Sequence, residues 1–550
     1  MTSAVHRQTS AWSPLQHSLF RSLWIAGLIA NSALGMQGVG AAWMMTSLDA
    51  SPLMVALVQT ATALPAFLFN LPGGVLADQV DRRSWLLFTQ GWMLLSAAVL
   101  SILLLYDLVG PWVLLSLTFA LGIGNALNLS AWSATVADVV PREEVPSAIT
   151  LNGVSYNLAR VLGPALAGGV IGWLGVTAVF MLNAICFAMV VVILFNWRGV
   201  PRVPSSLPPE GLLGGMRSGL RYARHSAAAR IVLLRTVLFA LCASSLWALL
   251  PLVARDQLKL EASGFGMLLG SLGCGAVLCA FLLPRLRARF ALNTLVSVSS
   301  LAFAACIVAT ALIDNYLLVC LTLLLGGVAW MAGNATTGAV LQTSLPTWVR
   351  ARVVSVYLLA FQGAMAIGGA LWGALATQIS VPETLIVSAV LLSGGVLLIW
   401  RQTLQMGSAE EATLWQAGQD NPPIYIEVGH REGPVAVQLD YRIKEQCRDQ
   451  FVQAAHALGV ARKRNGARGW RLYRDMSDPL GYSERFVVAS WGDYLRQQAR
   501  CTLADRALEE CLQEFIAADS PVSIRHFIAA APTQALNRQA PLSYSPPDQT

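Results

Sequence analysis

The sequence predicts an all-α membrane protein with twelve spanning helices, followed by a small α+β domain at the C-terminal end. Three observations support this fold class. The 550 residues are 55% hydrophobic and 12% charged, about half the charge of a typical soluble domain. Apolar segments long enough to cross a bilayer recur along most of the chain. After Arg401, charged residues become frequent and no further apolar segment of this length follows.

Twelve apolar segments are predicted to span the membrane, because a helix needs roughly 20 residues to cross a hydrocarbon core of about 30 Å. They form two groups of six, residues 20–197 and 231–401, on either side of a polar central loop over 198–230. The predicted spans are 20–48, 52–76, 85–106, 111–136, 147–174, 176–197, 231–258, 264–283, 292–313, 316–345, 353–379 and 382–400.

Basic residues recur in alternate loops, and this pattern predicts the orientation. Arg82 and Arg83 follow the second span, Arg142 follows the fourth, and Arg285 follows the eighth, whereas the other loops carry mainly acidic residues. Cytoplasmic loops carry an excess of Lys and Arg. Both termini, including the N-terminal segment 1–19, are therefore predicted to be cytoplasmic in a multi-pass protein of the cell inner membrane.

The loop after the second span carries a motif of Gly74, Asp78, Arg82 and Arg83. A glycine lets two helices approach closely, an acid at a helix end can meet a helix N-terminus or an arginine, and an arginine pair anchors to the membrane surface. We expect this cluster to latch the cytoplasmic side when the protein is open to the outside. A plain loop that only sets orientation is the alternative interpretation.

This motif resembles the signature of the major facilitator superfamily, Gly-x-x-x-Asp-(Arg/Lys)-x-Gly-(Arg/Lys)-(Arg/Lys), although Gln79 and Asp81 depart from it. The stretch 140–148 and the Gly-Leu-Arg-Tyr segment at 219–222 resemble the enterobactin-exporter-like branch. The resemblance covers about residues 10–405 and implies the twelve-helix major facilitator fold. It further implies a secondary exporter of siderophore-like or drug-like amphipathic molecules that works by proton antiport. A lipid or lysophospholipid flippase is the second transport interpretation.

An internal repeat agrees with the two groups of six. Pro141 and Pro346 are 205 residues apart, and so are Gly163 and Gly368. Carriers built from such parallel repeats place their substrate site near the midplane between two halves that rock.

The fifth span carries Arg160, Gly163 and Pro164. Gly163 and Pro164 resemble the Gly-Pro-x-x-Gly-Gly antiporter motif of drug exporters, from which Ala167 departs. Simple helix packing is the alternative role for these two residues. A cation halfway along a span is costly unless it is paired or solvated. Arg160 is therefore predicted to hold an anionic substrate group, or to pair with Asp138.

Polar and aromatic residues inside the spans are candidates for the substrate pathway, although each alone is more often an interhelical contact. No carboxylate is expected at midplane depth, so proton coupling is implied by the resemblance alone. The candidates are Asn31, Gln37, Asn128, Trp132, Asn152, Asn157, Arg160, Asn334 and Gln362.

The central loop contains an amphipathic segment. Arg217, Arg221 and Arg224 share one face of a predicted helix, and leucines supply apolar surface. We expect this helix to lie on the anionic inner leaflet.

The C-terminal part is predicted to comprise a linker over 402–433, a ferredoxin-like domain over 434–531 and a disordered tail over 532–550. Strands are expected at 435–443, 470–474, 485–490 and 522–529, and helices at 445–460 and 493–516, which is the order of a ferredoxin-like fold. The domain resembles the antibiotic-biosynthesis-monooxygenase-like domain, most closely the tail of carriers called transmembrane secretion effectors. That resemblance implies possible dimerisation through this domain.

Within this domain, Trp491 is expected in the core. Arg496, Arg500, Asp505 and Arg506 are expected on a solvated helix face. No nucleophile triad, phosphate loop or metal-ligand cluster is present in the sequence, so we expect no enzyme activity, cofactor or metal. A membrane-tethered enzyme or sensor is the alternative from another functional class. The expected partners are a small-molecule substrate and the lipid bilayer, and no nucleic acid.

Overall fold

The computed structural model describes residues 12–49, 51–197, 212–402, 432–517 and 520–529, together with residue 410 and the stretches 413–415 and 428–430. Most of the predicted N-terminal segment and linker, the start of the central loop and the C-terminal tail lie outside these residues. Two compact units are present. The first contains the long helices, and the second contains the C-terminal domain with residues 213–230 and 343–353.

The first six long helices follow one another with short turns. Asp81 begins the third helix as its N-cap, since its carboxylate accepts a hydrogen bond from the Ser84 amide at 2.9 Å. Gly175, with φ +82°, ends the fifth helix in a conformation that favours glycine. The helices are α1 Ser18–Leu48, α2 Pro52–Gln79, α3 Arg82–Leu105, α4 Pro111–Asp138, α5 Val145–Leu174 and α6 Val176–Asn196.

A shorter helix, α7 Leu212–His225, precedes the second group of six. Ser380 and Glu383 form a capping box that begins the last of these helices. The second group comprises α8 Ala227–Leu252, α9 Ala262–Arg289, α10 Leu292–Leu312, α11 Tyr316–Thr343, α12 Thr347–Gln378 and α13 Val381–Ile399.

The predicted architecture of two six-helix groups is confirmed. Within the described residues, eleven of the long helices have the length and composition to cross a membrane, and α5, with 30 residues, is the twelfth long helix. Polar bonds join helices inside each group: Asn183 donates to Gln37 at 2.9 Å, and the hydroxyls of Ser245 and Ser388 are 2.6 Å apart. Such bonds fix helix register where lipid offers no competing partner.

The C-terminal domain has a four-stranded antiparallel sheet in the order β2-β3-β1-β4. The predicted small α+β domain is therefore present, and this strand order is the one expected of the predicted ferredoxin-like arrangement. Its elements are β1 Val435–Arg442, α14 Arg448–Asn465, β2 Arg468–Arg474, β3 Gly481–Val488, α15 Trp491–Ala499, α16 Leu503–Glu514 and β4 Ser523–Ile528.

Two expectations about this domain need correction. The single helix predicted over 493–516 is two helices, because Thr502 and Asp505 form a capping box that begins α16 anew. Asp505 was expected on a solvated face, but it is 3% exposed. Its carboxylate pairs with Arg464 and accepts a hydrogen bond from Asn465 at 3.0 Å, so burial is compensated by charge and hydrogen bonding. The expectation that Trp491 lies in the core is confirmed.

The second unit also includes α7 and the segment 343–353. The Tyr222 ring of α7 is buried and meets the Trp348 ring edge-on at 5.9 Å. From the C-terminal domain, the Arg464 guanidinium lies 5.4 Å from the Tyr222 ring centroid, and the Arg500 guanidinium lies 4.2 Å from the Trp348 ring centroid. These four side chains form a cation–π stack, which we call the tail dock.

Candidate functional site

A large cavity lies between the two groups of long helices. Its volume is about 740 Å³, within the range of small-molecule sites. Three helices of the first group (α1, α2 and α5) and three of the second (α8, α9 and α11) supply its wall. A site at the junction of two repeats is where alternating-access carriers bind their substrates.

The two groups touch at one end of the helical unit. We call the end with the α2–α3, α4–α5 and α9–α10 junctions the basic end, and the other the opposite end. Near the opposite end, a Cβ on Gly168 of α5 would lie 2.8 Å from the Gly266 Cα of α9. Thr60 of α2 donates to the Ala366 carbonyl of α12 at 2.9 Å. These contacts close the cavity at the opposite end.

Towards the basic end, the cavity wall is accessible. Thr150, Gly153 and Val154 of α5 and Phe281 of α9 line the cavity and are all exposed, Phe281 by 72%. The cavity is therefore closed at the opposite end and open towards the basic end, which is one of the two access states of a rocking carrier.

The chemistry of the wall is mainly apolar and aromatic. Trp247 and Trp330 meet edge-on with ring centroids 5.5 Å apart, and Phe265 stacks on Trp43 at 5.8 Å. Among the described lining residues, Gln59 has the only side-chain amide and none is ionisable. Such a wall fits a molecule with a large apolar surface and few polar groups.

Of the predicted site residues, Pro164 lines this cavity. Gly163, one position earlier, brings α5 against α1, since a Cβ there would lie 3.0 Å from the Gly35 Cα. The side chains of Asn157 and Arg160 lie outside the described part of the structure. The backbone position of Arg160 is one helical turn before Pro164 and two turns after Gly153, which also lines the cavity.

Other candidates for the substrate pathway are held by bonds between helices. Gln37, 3% exposed, accepts from Asn183 of α6, and Asn128 accepts from Thr89 of α3 at 3.1 Å. Trp132 packs on α1, because a Cβ on Gly27 would lie 2.9 Å from its ring.

The remaining candidates bond within their own helix or lie elsewhere. Asn31 donates to the Gly27 carbonyl at 2.8 Å, and Asn334 donates to the Trp330 carbonyl at 3.0 Å. Gln362 is half-buried in α12. None of these six candidates (Asn31, Gln37, Asn128, Trp132, Asn334 and Gln362) lines the central cavity.

The motif after α2 spans the α2–α3 junction. Arg83 donates to the Phe195 carbonyl at 2.7 Å, so it binds the C-terminal end of α6, where a cation is favoured. Arg82 is the first residue of α3, and Gly74 lies in the last turns of α2. The Asp78 side chain lies outside the described part of the structure.

The hydrogen bond from the Ser84 amide is the main reason that the pKa of Asp81 is lowered.

Sequence reasoning missed Gln59, Trp247, Phe265 and Trp330 as lining residues. Gln59 had a detectable signal, because it is a side-chain amide inside an apolar span. The aromatic residues had no such signal, since an aromatic ring in a span is equally suited to lipid, core and cavity.

In the part of the chain that the structure describes, no three His, Cys, Asp or Glu residues cluster with metal-binding geometry.

Comparison with known families gives one match over most of the chain. The family model described as transmembrane secretion effector matches residues 9–534. The enterobactin exporter EntS of Escherichia coli O1:K1 / APEC is 25% identical over 387 residues, which is 70% of this chain and 90% of that protein. The MFS-type transporter YfiS of Bacillus subtilis (strain 168) is 28% identical over 198 residues, 36% of this chain, and the match spans 45% of YfiS.

Solved carrier structures share the fold. A bacterial homologue of the human lysosomal transporter Spinster aligns with a TM-score of 0.59 and 14% identity, covering 72% of this chain and 99% of that one. The nucleoside transporter NupG aligns with a TM-score of 0.56 and 13% identity, covering 70% and 99%. The match of the family model, together with this fold, shows that the chain belongs to the transmembrane secretion effector family of the major facilitator superfamily, whose members are multi-pass membrane transporters.

Proposed function

We propose that this transporter is a secondary exporter of small amphipathic molecules, siderophore-like or drug-like, which works by alternating access with proton antiport. The observation that carries the proposal is the cavity between the two six-helix groups, which contacts between these groups close at the opposite end in the described residues. The similarity to an enterobactin exporter supports the outward direction and the substrate class.

The orientation of the chain completes this proposal. The arginine-rich loops mark the basic end, and the positive-inside rule places such loops in the cytoplasm. With both termini cytoplasmic, the cavity of the present conformation opens to the compartment from which an exporter takes its substrate. Reporter fusions at the α2–α3 and α3–α4 junctions test this orientation, and a cytoplasmic signal from the second junction contradicts it.

Within the pathway, we propose that Arg160 contacts an anionic group of the substrate. The support is its depth in α5 and its backbone position one turn from Pro164 on the cavity wall. A buried cation in a membrane needs an anion or water to offset its desolvation. The alternative is a structural pair with Asp138, whose side chain also lies outside the described part.

We propose that Gly74, Asp78, Arg82 and Arg83 form a latch at the basic end. Arg83 holds the end of α6, which ties the α2–α3 junction to the rest of the first group. Gly163 lets α5 and α1 approach closely, so this group can move as one body. The Asp78 carboxylate would then latch the basic end when that end closes.

The C-terminal domain is proposed to pair with a second copy. Its helices cover one face of the sheet, and the other face carries Tyr473, Val487 and Phe527, which are 44%, 37% and 48% exposed. Exposed apolar side chains on a sheet face that no helix covers in the described residues indicate an interaction surface. Cross-linking of full-length protein in membranes, with Phe527→Asp as the disrupting variant, tests this pairing.

Transport in proteoliposomes tests the main proposal. Protein is reconstituted, a pH gradient is imposed, and the movement of 8-anilinonaphthalene-1-sulfonate, an anionic aromatic probe, is measured. We expect transport that depends on the gradient and stops when an ionophore collapses it. Gradient-independent movement would exclude proton antiport while leaving a transporter. A complementary screen compares metabolite accumulation in a deletion strain and its parent.

A further inference from the structure

Two threonine hydroxyls on the cavity wall already donate hydrogen bonds within the protein. The hydroxyl of Thr62 donates to the Gln59 carbonyl at 2.8 Å, and the hydroxyl of Thr150 donates to the Pro146 carbonyl at 2.9 Å. Both threonine hydroxyl hydrogens are thus used within their own helices. They offer a substrate little beyond a methyl surface and a weak acceptor.

Gln59 differs from these threonines. Its side chain lines the cavity and is half-buried, and in the described structure its amide takes part in no hydrogen bond. A side-chain amide offers two donor hydrogens and an acceptor oxygen. Gln37 of α1, by comparison, is fully buried and accepts a hydrogen bond from Asn183 through its Oε1, while its Nε2 has no partner in the described residues. It joins two helices and does not line the cavity.

A second unsatisfied group lies on the other half of the cavity wall. Trp247 of α8 lines the cavity, and its indole N–H is buried without a hydrogen-bond partner in the described residues. A buried donor left unpaired is costly. This N–H is buried within the protein and is not exposed to the cavity. Gln59 is therefore the residue whose side-chain amide is available to a substrate among the described lining residues.

We infer that Gln59 determines substrate specificity in this cavity. The substrate class is an aromatic or otherwise apolar body that carries an uncharged hydrogen-bonding oxygen, such as a phenol or an amide carbonyl. The body packs on Phe265 and Trp330, and the oxygen bonds to the Gln59 amide. This inference rests on the proposed function, because it assumes that the cavity holds the substrate.

Two matched probes separate hydrogen bonding from apolar packing. Pyrene and 1-hydroxypyrene have the same aromatic body, and only the second carries a hydroxyl. Binding to full-length protein in nanodiscs is read from the saturable part of tryptophan-to-pyrene energy transfer. We expect 1-hydroxypyrene to bind about three- to tenfold more tightly than pyrene, as one neutral hydrogen bond provides.

Substitution of Gln59 should abolish this preference. In Gln59→Leu, and in the longer Gln59→Met, the affinity ratio should fall to about one while the affinity for pyrene stays the same. Thr322→Val is the matched control, because its hydroxyl bonds within α11 away from the cavity. An unchanged ratio in both Gln59 variants overturns the role of Gln59 and leaves the cavity as the site. Saturable binding of neither probe to the wild type overturns the cavity itself.

Discussion

Gly168 of α5 and Gly266 of α9 lie in direct backbone contact, and this contact joins the two halves of the transporter at the opposite end. A Cβ on Gly168 would lie 2.8 Å from the Gly266 Cα, closer than real Cβ atoms approach backbone. The next residue, Gly169, would meet nothing within 4 Å. Gly168 and Gly169 are therefore a matched pair for substitution. An added methyl group meets the α9 backbone at Gly168 and open space at Gly169.

Gly168→Ala is expected to weaken closure of the opposite end, because the added methyl must push α5 and α9 apart. Gly169→Ala should have little effect and should slightly favour the helix. We expect the first variant to reduce transport of the anionic probe several-fold and the second to transport normally. Equal transport by the two variants would show that this contact is not required for the transport cycle.

Arg160→Ala is expected to cut transport strongly while leaving membrane insertion intact, because the anionic group of the substrate loses its partner. Arg160→Lys keeps the charge but not the planar geometry, so partial activity is expected. Transport is measured with the anionic probe, and insertion is measured by protease accessibility of the loops. Near-wild-type transport by Arg160→Ala rules out the functional role.

Asp78→Asn tests the latch at the basic end. The substitution removes a charge but keeps the size, so we expect the rate of turnover to fall more than substrate affinity. Probe binding at equilibrium and the initial transport rate are measured on the same preparation. A Glu143→Gln variant, in the exposed α4–α5 junction, serves as a control for charge at this end. An unchanged turnover rate in Asp78→Asn would contradict the latch.

The tail dock should keep the C-terminal domain attached after the linker is cut. A protease site is introduced between residues 416 and 427, and washed membranes are assayed for the released domain. Arg500→Gln removes the cation over the Trp348 ring and should increase release. Arg442→Gln removes an exposed pair with Asp478, which contributes little, and should not. Complete release from the wild type would show that the dock does not hold without the linker.

The C-terminal domain is expected to lose stability in mild acid, because the His526 ring is partly buried in it. Its ring packs against Tyr494 and Trp491, with centroids 4.8 and 5.9 Å away, and burial lowers the pKa of the imidazole below 6.5. The unfolded chain therefore binds a proton at a higher pH than the folded domain does. Stability should be full above about pH 6.5 and fall as the pH drops, by at most about 1.4 kcal/mol per pH unit.

Urea unfolding of the domain in the full-length protein, read by pulse proteolysis at pH 7.5 and 5.5, measures this effect. His526→Phe keeps the aromatic contacts and removes the titrating group, so the difference between the two pH values should shrink. A difference that is as large in His526→Phe as in the wild type would assign the acid sensitivity to other groups.

The spans, their grouping and the four strands of the C-terminal domain follow from the sequence alone. The physical reason is local: a helix in lipid must satisfy its own backbone, so a run of apolar residues is sufficient to define it. The capping residues at Asp81 and Ser380 act over three positions. Alternation of Val435, Val437 and Leu439 likewise defines which face of β1 is buried.

Tertiary structure decided which polar residues face the cavity and which join helices. Gln37 and Gln59 look alike in sequence, each an amide inside an apolar span. Only the packing of α6 against α1 gives Gln37 its partner Asn183, 146 residues away, and leaves Gln59 open to the cavity. Asp505 is similar, because its partner Arg464 lies 41 residues earlier. The rotation of each helix depends on side chains distant in sequence, and a local pattern does not contain that information.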